Sequence, residues 1–478
     1  MPGFRDHLET CVARAGSPSG SRLLLGLFLL ACAGLLLVTR PWSVLPGTTW
    51  PCGFESGRVA RNLVAGYGYA SPFARLPGDT FETVPSASPG RPPVEGDTGP
   101  PPPTAWVTPP NTLLWWLVFA LFGTYTPAAL AAYLVVQAIL TAISIEVARR
   151  LLHAAAGAVP AGLGVLCFLA YPGTWYYAVA DTHGTVLFAL FAFLSLLSLH
   201  RLEETGRDGA LWLHGLASAL AVLCEPASLL FFVGWESRCA LRWRRRPPAN
   251  PGHAPGSARP RRGLTATRFA LVIVLCAAAL WAPWLVRNRL ALGGWVLFKS
   301  NMPMELYFGN NAGSRANPYA AHAERFPAAS ESERRQLLGM GEIAYGRLCA
   351  SRFADFVTQR PADFLALTAQ RILWFWSLHP FKPNPLRPAL TVLFWAVLTF
   401  WMIGRLRSPA RGGTIDRACL WFLVLYPTGF YLSHFFLYRY RHPLEALLLL
   451  AAALVTATRG PTTSTPGTAE KRCLHPAG

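Results

Sequence analysis

Long apolar runs separated by short polar segments dominate the chain. Each run is long enough to cross about 30 Å of hydrocarbon as an α-helix. A further run, 210–236, is interrupted at Glu225-Pro226. Because proline lacks a backbone donor and breaks helices, this run predicts two short spans joined by a tight turn. The uninterrupted runs are 22–39, 127–147, 158–175, 183–199, 268–287, 388–404, 418–436 and 442–457.

The apolar segment 111–122 is predicted to be an interfacial helix rather than a span. If it crossed the membrane, the loop 237–268 would leave the cytoplasm, although this loop carries nine arginines and no acidic residue. Such a loop is the strongest positive-inside signal in the chain. The pair Trp115-Trp116 also suits a membrane interface. The pattern therefore predicts an all-α polytopic membrane protein with about ten transmembrane helices and both termini inside.

This topology divides the chain into membrane-embedded and exposed parts. The run Leu23–Val38 is followed by Thr-Arg-Pro rather than a small-residue cleavage site, so it is interpreted as an uncleaved first span. A proline-rich tract, 77–103, falls in the first outer loop and has no predicted role. The parts are a cytoplasmic N-terminus (1–21), a membrane domain (22–287) containing the first extracytoplasmic loop (40–126), an extracytoplasmic segment (288–387), C-terminal membrane helices (388–457) and a cytoplasmic tail (458–478).

Composition agrees with this class. The 478 residues are 52% hydrophobic and 14% charged, with a mean hydropathy of +0.31, whereas soluble domains carry about 25% charged residues. The net charge of +19 does not indicate nucleic-acid binding, because the arginines lie in short loops between apolar runs. The ten cysteines show no CxxC pair or metal-ligand spacing. A disulfide between Cys52 and Cys349 is permitted, and the sequence requires no cofactor while remaining compatible with a divalent cation.

The first candidate site follows the first span. At helical spacing Glu55, Arg58 and Asn62 share one face of a short helix, 55–65. A carboxylate at the membrane surface can deprotonate a hydroxyl while nearby arginines attract a phosphate. The alternative is an interfacial helix in which Glu55 and Arg58 form a weak ion pair.

Asp181 and His183 form a second candidate site at a predicted outer membrane boundary. They are either loop residues in headgroup water or part of a polar site, and the sequence favours neither.

A third polar cluster closely follows the seventh predicted span. Its asparagines, lysine and glutamate can hydrogen-bond sugar hydroxyls, with Tyr307 as a stacking surface. A simple turn is the alternative, because Gly-Asn-Asn is also typical of turns. Its polar candidates are Lys299, Asn301, Glu305 and Asn310.

The fourth cluster lies at the outer end of the final hairpin. Arg439 and Arg441 oppose the positive-inside bias, so they require an anionic partner such as a lipid-linked phosphate or Glu445. Tyr440 lies between them. An interfacial anchor with snorkelling arginines is the alternative.

Taken in order, these elements resemble the membrane glycosyltransferases of the GT-C fold. The closest resemblance is to bacterial relatives of protein O-mannosyltransferases and of the transferase that adds aminoarabinose to lipid A. The resemblance rests on an early outer-loop acid (Glu55), an interfacial helix ending at Phe122-Gly123 and a second acid near 181. It continues with the paired short spans and with Arg-Tyr-x-x-Pro at 439–443. The chain departs from the family in having Glu55 where aspartate is usual and Cys224-Glu225-Pro226 where a lysine is frequent.

The resemblance implies transfer of a sugar from a polyprenyl-phosphate donor to an extracytoplasmic hydroxyl of a lipid, glycan or protein. It implies a multi-pass protein of the cell membrane whose partners are this donor, membrane lipids and the acceptor, without nucleic acid, and whose reaction inverts the anomeric configuration. The implied roles are catalysis by Glu55 and Asp181, donor-phosphate binding by Arg58, Lys299, Arg439 and Arg441, and substrate binding by Asn62, His183, Asn301, Glu305, Tyr307, Asn310 and Tyr440.

Two other hypotheses stay open at this point. A transporter or lipid flippase would have charged residues along the middle of several spans and internal repeats, whereas the charges here crowd the outer boundary. A catalytically inactive relative that binds glycolipid is also compatible with the departures at Glu55 and Glu225.

Overall fold

A computed structural model of the chain describes residues 2–44, 52–76, 99–245, 265–314, 321, 324–377, 386–407, 413–433 and 440–455. Within these residues the only β-type pairing is an isolated bridge between Ala70 and Pro103, so the predicted all-α class is confirmed. The helices are α1 (Pro2–Gly16), α2 (Pro18–Thr39), α3 (Phe54–Val64), α4 (Pro109–Phe122), α5 (Pro127–Ala156), α6 (Ala158–Ala170), α7 (Pro172–Val179), α8 (Thr185–Thr205), α9 (Asp208–Cys224), α10 (Leu229–Arg244), α11 (Ala266–Leu292), α12 (Met302–Gly309), α13 (Glu331–Met340), α14 (Glu342–Gln359), α15 (Pro361–Trp376), α16 (Leu386–Arg407), α17 (Thr414–Leu425), α18 (Thr428–Ser433) and α19 (His442–Val455).

Five of the described helices are long and apolar enough to cross a membrane: α2, α5, α8, α11 and α16. A sixth span is present if α6 and α7, which meet at an angle of 64°, cross together. Helices α4, α9 and α19 are apolar but shorter. The chain is therefore an all-α membrane protein, and both its multi-pass topology and the count of about ten spans stay predictions.

The interruption at Glu225-Pro226 is confirmed. Helix α9 ends at Cys224, a 3₁₀ turn covers Pro226–Ser228, and α10 begins at Leu229. The Glu225 carboxylate accepts a hydrogen bond from the Ala227 amide at 3.4 Å and thereby caps the turn. Because of this break, the last residue of α9 and the first residues of α10 lie close together.

The described parts of the two segments predicted to be extracytoplasmic, 40–126 and 288–387, form one layer with a core of its own, which we name the outer layer. Phe54 and Val59 of α3 and Trp106 of the first loop meet Phe308 of α12 and Tyr345 of α14 in this outer core. The membrane helices share a separate, much larger apolar core. The first loop and the segment after α11, which the sequence analysis treated separately, thus form one packed layer.

Ion pairs concentrate at one end of the long helices. Glu203, in the last turn of α8, bonds to Arg242 in the last turn of α10. At the start of α9, Asp208 pairs with Arg268 near the start of α11 at 2.6 Å. Arg405, near the end of α16, pairs with Asp416 at the start of α17. This arginine-rich end is the one that the positive-inside rule assigns to the cytoplasm. The opposite end carries the outer layer.

Candidate active site

A cavity of about 1030 Å³ lies between the outer layer and the ends of the membrane helices. This volume is at the upper limit of ligand pockets, which span roughly 300–1,000 Å³. Membrane helices contribute apolar residues, among them Phe188, Leu230 and Phe430. The outer layer contributes most of the polar ones. The acidic and basic residues on the wall, counting histidine, are Glu55, His183, Glu225, Lys299, Glu305, Glu342 and Arg347.

Glu55 lies in the first turn of α3, on the cavity wall. Its carboxylate accepts a hydrogen bond from Trp106 Nε1 at 2.5 Å. Trp106 is fully buried and makes an edge-to-face contact with Phe73, with ring centroids 4.6 Å apart. The aromatic packing therefore fixes one carboxylate oxygen of Glu55 and keeps the half-exposed group directed toward the cavity.

Asp181 and His183 act as a pair. His183 Nδ1 lies 3.0 Å from Asp181 Oδ1, and its amide donates to Asp181 Oδ2 at 3.3 Å. The Asp181 side chain is 3% exposed and the His183 side chain 44%. A buried carboxylate thus orients an imidazole that reaches the wall, which is the arrangement that fixes a histidine tautomer.

Helices α4 and α5 hold the loop that carries this pair. The Thr182 carbonyl accepts hydrogen bonds from Asn111 Nδ2 at 3.1 Å and from Tyr133 Oη at 3.3 Å. Gly184 follows with φ of +78°, and a Cβ there would approach Asn111 Cβ to 2.9 Å. Glycine is therefore required both by the backbone conformation and by the close packing.

Lys299 belongs to a loop that three contacts hold in place. Trp284 Nε1 donates to the Phe298 carbonyl at 2.7 Å, and the Ser300 amide donates to the Ala105 carbonyl at 2.9 Å. Ser300 Oγ donates to Glu342 at 2.7 Å. No described residue makes an ion pair or hydrogen bond with the Lys299 ammonium, so its charge remains available to a ligand in the cavity.

Glu342, at the start of α14, connects three parts of the outer layer. It accepts hydrogen bonds from Thr104 Oγ1, from the Ala105 amide at 2.8 Å and from Ser300 Oγ. Burial raises the pKa of this carboxyl above its ordinary value, and the hydrogen bonds from Ala105, Thr104 and Ser300 oppose that shift. Glu342 is 6% exposed and satisfied by the protein, so its role is to position its neighbours.

Arg347 also comes from α14 and is exposed on the cavity wall. Within the described residues its guanidinium has no carboxylate or carbonyl partner. Arg347 was not among the site residues predicted from the sequence. The helical spacing that could have identified it is that of the residues on one face of α14, which lies against the cavity: Ile343, Gly346, Arg347 and Ala350.

Most helices that reach the cavity do so with their first turn. This applies to α3, α4, α8, α10, α12, α14 and α19, each of which has at least one residue of its first turn on the wall. Among the described helices, α9 through Cys224 and the short α18 through Ser433 contribute their last residue.

The structure brings several predicted site residues together on this wall. Asp181 reaches it through His183. The predicted residues that line the cavity themselves are Glu55, His183, Lys299, Asn301, Glu305 and Tyr440.

Arg58 and Asn62 lie inside the outer layer, away from the cavity wall. Arg58 is 5% exposed, lies 4.0 Å above the Phe54 ring and donates to the Pro72 carbonyl at 3.2 Å. Asn62 is fully buried and donates to the carbonyls of Ala70 and Ser71. Both side chains hold the turn after α3, so we assign them structural contacts rather than substrate contacts.

Tyr307 and Asn310 are likewise part of the packing. Tyr307 belongs to the outer core, and the guanidinium of Arg352 lies 5.3 Å from its ring centroid. Asn310 donates to the Leu432 carbonyl at 2.9 Å and accepts from Arg371 at 2.9 Å. It thus joins α12 to α18 and α15.

Arg441 is fully buried and already engaged. Its Nε donates to Glu445 at 3.0 Å and its Nη2 donates to Thr391 Oγ1 at 2.9 Å, while Phe394 lies against the guanidinium. Glu445, which the sequence analysis named as one possible partner, is the anion it contacts. Arg439 lies outside the described residues.

Cys52 and Cys349 are both free thiols in the structure. Each is fully buried, and burial raises the pKa of both to about 12. They lie in different cores.

A ready-made metal site is absent from the described residues, which contain no group of three or more His, Cys, Asp or Glu side chains able to hold an ion.

No protein-family model, curated protein or solved structure matches this chain.

Proposed function

We propose that the protein is a membrane glycosyltransferase that moves a sugar from a polyprenyl-phosphate donor to an acceptor hydroxyl on the extracytoplasmic side. One observation carries the proposal. One large cavity between apolar helices and a polar outer layer combines a carboxylate, an oriented histidine and two cations that have no acidic partner among the described residues. A lipid-linked sugar phosphate needs apolar surface for its chain, cations for its phosphate and hydrogen bonds for its sugar.

Glu55 is the general base of this proposal. It accepts the proton of the acceptor hydroxyl while that oxygen attacks the anomeric carbon. The Trp106 bond occupies one carboxylate oxygen and orients the other. Proton removal by a positioned base typically contributes about 10²–10⁴ in rate.

Lys299 and Arg347 bind the phosphate. The bond between the anomeric carbon and the phosphate oxygen breaks as the new bond forms, and polyprenyl phosphate leaves with the electron pair. Positive charge near the oxygen on which charge develops is usually the largest catalytic contribution. A single displacement of this kind inverts the anomeric configuration.

The Asp181–His183 pair orients the substrate. Asp181 fixes the imidazole, and His183 presents its second ring nitrogen to hydroxyls of the sugar or acceptor. Asn301, Glu305 and Tyr440 supply further polar groups on the same wall.

Two experiments test the proposal. Mass spectrometry of envelope glycolipids and glycoproteins should show one glycan missing from a strain that lacks the gene. Complementation with the wild-type gene should restore this glycan, and complementation with Glu55→Gln should not. Glutamine retains the shape of the side chain but cannot take up the proton, so transfer should fall by about 10²–10⁴.

Glu225→Gln is the matched control. It removes a second carboxylate from the same wall, but this one caps the turn before α10. We expect near-normal transfer by Glu225→Gln. Near-normal transfer by Glu55→Gln, at equal amounts of protein in the membrane, would show that Glu55 is not the base.

A further inference from the structure

Four half-buried arginines gather at the end of the membrane helices opposite to the cavity. They come from the last turns of α10, the last turn of α16 and the first turn of α17. Among the described residues, the carboxylates that bond to this group are Glu203 and Asp416, so the group carries excess positive charge. The four are Arg238, Arg242, Arg405 and Arg417.

Both carboxylates are already committed to protein partners. Glu203 accepts hydrogen bonds from Arg242 and from Thr414 Oγ1. Asp416 pairs with Arg405 and accepts from Trp401 Nε1 at 2.7 Å. Two of the four arginines are therefore neutralised, and Arg238 and Arg417 keep a full charge without a carboxylate partner among the described residues.

Arg417 is the focus of the group. Its Nε is a buried atom that has no hydrogen-bond acceptor. The charges of the other three arginines act on it repulsively, and only Glu203 attracts it. Burying a charged donor without an acceptor costs free energy, so an anion that accepts from Arg417 would relieve both the repulsion and the unmade bond.

Arg238 lies near a second buried donor that has no acceptor, the indole nitrogen of Trp235. Its guanidinium lies 5.6 Å from the ring centroid of Trp235, one turn earlier on α10. The Trp235 indole nitrogen is buried and also lacks an acceptor. Unsatisfied donors are rare in protein interiors, and two of them beside a net-positive group indicate a missing acceptor.

We propose that the phosphate of an anionic phospholipid headgroup binds between α10, α16 and α17 at Arg238 and Arg417. These helices belong to the membrane domain, so a lipid can reach the group from the bilayer. Basic pockets between membrane helices on the cytoplasmic side bind such headgroups, and the guanidinium geometry matches phosphate oxygens. The site lies at the opposite end of the helices from the sugar-transfer cavity and does not depend on that activity.

The test uses the full chain in nanodiscs containing equal amounts of phosphatidylglycerol and phosphatidylcholine. Native mass spectrometry of the released protein counts the lipids that stay bound. Wild-type protein should retain phosphatidylglycerol preferentially. The double variant Arg238→Gln/Arg417→Gln should lose this preference, because each arginine near the surface contributes roughly fivefold, or about 1 kcal/mol.

A matched control separates a built site from diffuse attraction. Arg244 and Arg407 are exposed at the same end of the molecule, so Arg244→Gln/Arg407→Gln removes the same charge. Retained preference in this control supports the proposal. An equal loss in both double variants overturns it.

Two further measurements keep the test decisive. If the double variant does not fold, Arg417→Lys retains the charge but loses the Nε donor, and it should bind phosphatidylglycerol more weakly than wild type. Unchanged binding by Arg417→Lys overturns the site. Inorganic phosphate added to wild type should not displace the lipid, and displacement by phosphate would show a site for a soluble anion instead.

Discussion

Lys299 and Arg347 place two positive charges on the cavity wall from different elements. Lys299 comes from the loop after α11, and Arg347 comes from the second turn of α14. Neither has an acidic partner among the described residues. In the proposed reaction they contact the donor phosphate in the ground state and more strongly as charge develops on the leaving group.

Arg347→Gln should therefore both raise KM for the donor and lower kcat. Loss of a charge-assisted hydrogen bond corresponds to about 1.5–3 kcal/mol, or roughly 10- to 100-fold in kcat/KM. The measurement is the rate of sugar transfer in vesicles as donor concentration is varied. Arg360→Gln is the control, because it removes an exposed arginine from the residue directly after the same helix, at a position that does not line the cavity. Equal effects of the two variants would rule out a phosphate contact by Arg347.

The sequence was sufficient to identify polar side chains with suitable chemistry. It was not sufficient to distinguish those that face the cavity from those that are buried in the packing. Glu55, His183 and Lys299 were chosen for their chemistry and lie on the cavity wall. Arg441 and Asn62 were chosen on the same grounds, yet both are buried and already donate hydrogen bonds to other parts of the protein. A sequence shows that a polar side chain needs a partner. It does not show whether a distant residue, such as Thr391 for Arg441, already provides that partner.

At the level of elements, Glu342 holds the polar half of the cavity together. It bonds the first loop at Thr104 and Ala105 to the Lys299 loop at Ser300, and it begins the helix that carries Arg347. Burial raises the pKa of its carboxyl above the ordinary value, and the hydrogen bonds that it accepts oppose this shift. These hydrogen bonds, which join separate segments, are the contribution we expect from it.

Glu342→Ala should destabilise the outer layer and weaken donor binding. It leaves the Ala105 amide and two hydroxyls without their acceptor, and each unsatisfied buried group costs about 1–3 kcal/mol. Glu342→Gln should restore most of the function, because its amide oxygen can accept from Ala105 and Ser300. Thermal unfolding and KM for the donor are the two measurements. A Gln variant as impaired as the Ala variant would show that the negative charge itself is required.

The elements themselves were largely predictable, and their mutual packing was not. The interruption at Glu225-Pro226 and the short helix after the first span follow from local chemistry. The contact between Trp106 of the first loop and α3, which orients Glu55, joins residues that the sequence pattern does not connect. Such long-range pairs require the three-dimensional arrangement of the outer layer.

On the scale of the whole molecule, the long helices separate two chemically different ends. The cavity lies at one end and the arginine group at the other. Hydrophobic periodicity and the distribution of arginine were sufficient to predict this polarity. They were not sufficient to fix the number of spans, because α4, α9 and α19 are apolar yet short.

The polarity gives a direct prediction of topology. Reporter fusions after Arg245 should place that residue in the cytoplasm, and fusions near Asn310 and Glu342 should place those residues outside. The reason is the arginine-rich loop 237–268 and its position opposite to the cavity. A phosphatase reporter active outside and a fluorescent reporter active inside should give complementary signals. A cytoplasmic signal at Asn310 would contradict both the topology and the proposed reaction.

The first turns of seven helices on the cavity wall have an electrostatic consequence. Backbone dipoles align along a helix, so each N-terminus carries roughly half a positive elementary charge. Each such terminus stabilises a nearby anion by about 0.3–1 kcal/mol. Helices α3, α4, α8, α10, α12, α14 and α19 thus direct the positive ends of their macrodipoles toward the cavity. The electrostatic field of the backbone therefore favours an anionic ligand in the cavity. Substitution of Lys299 or Arg347 does not remove this field.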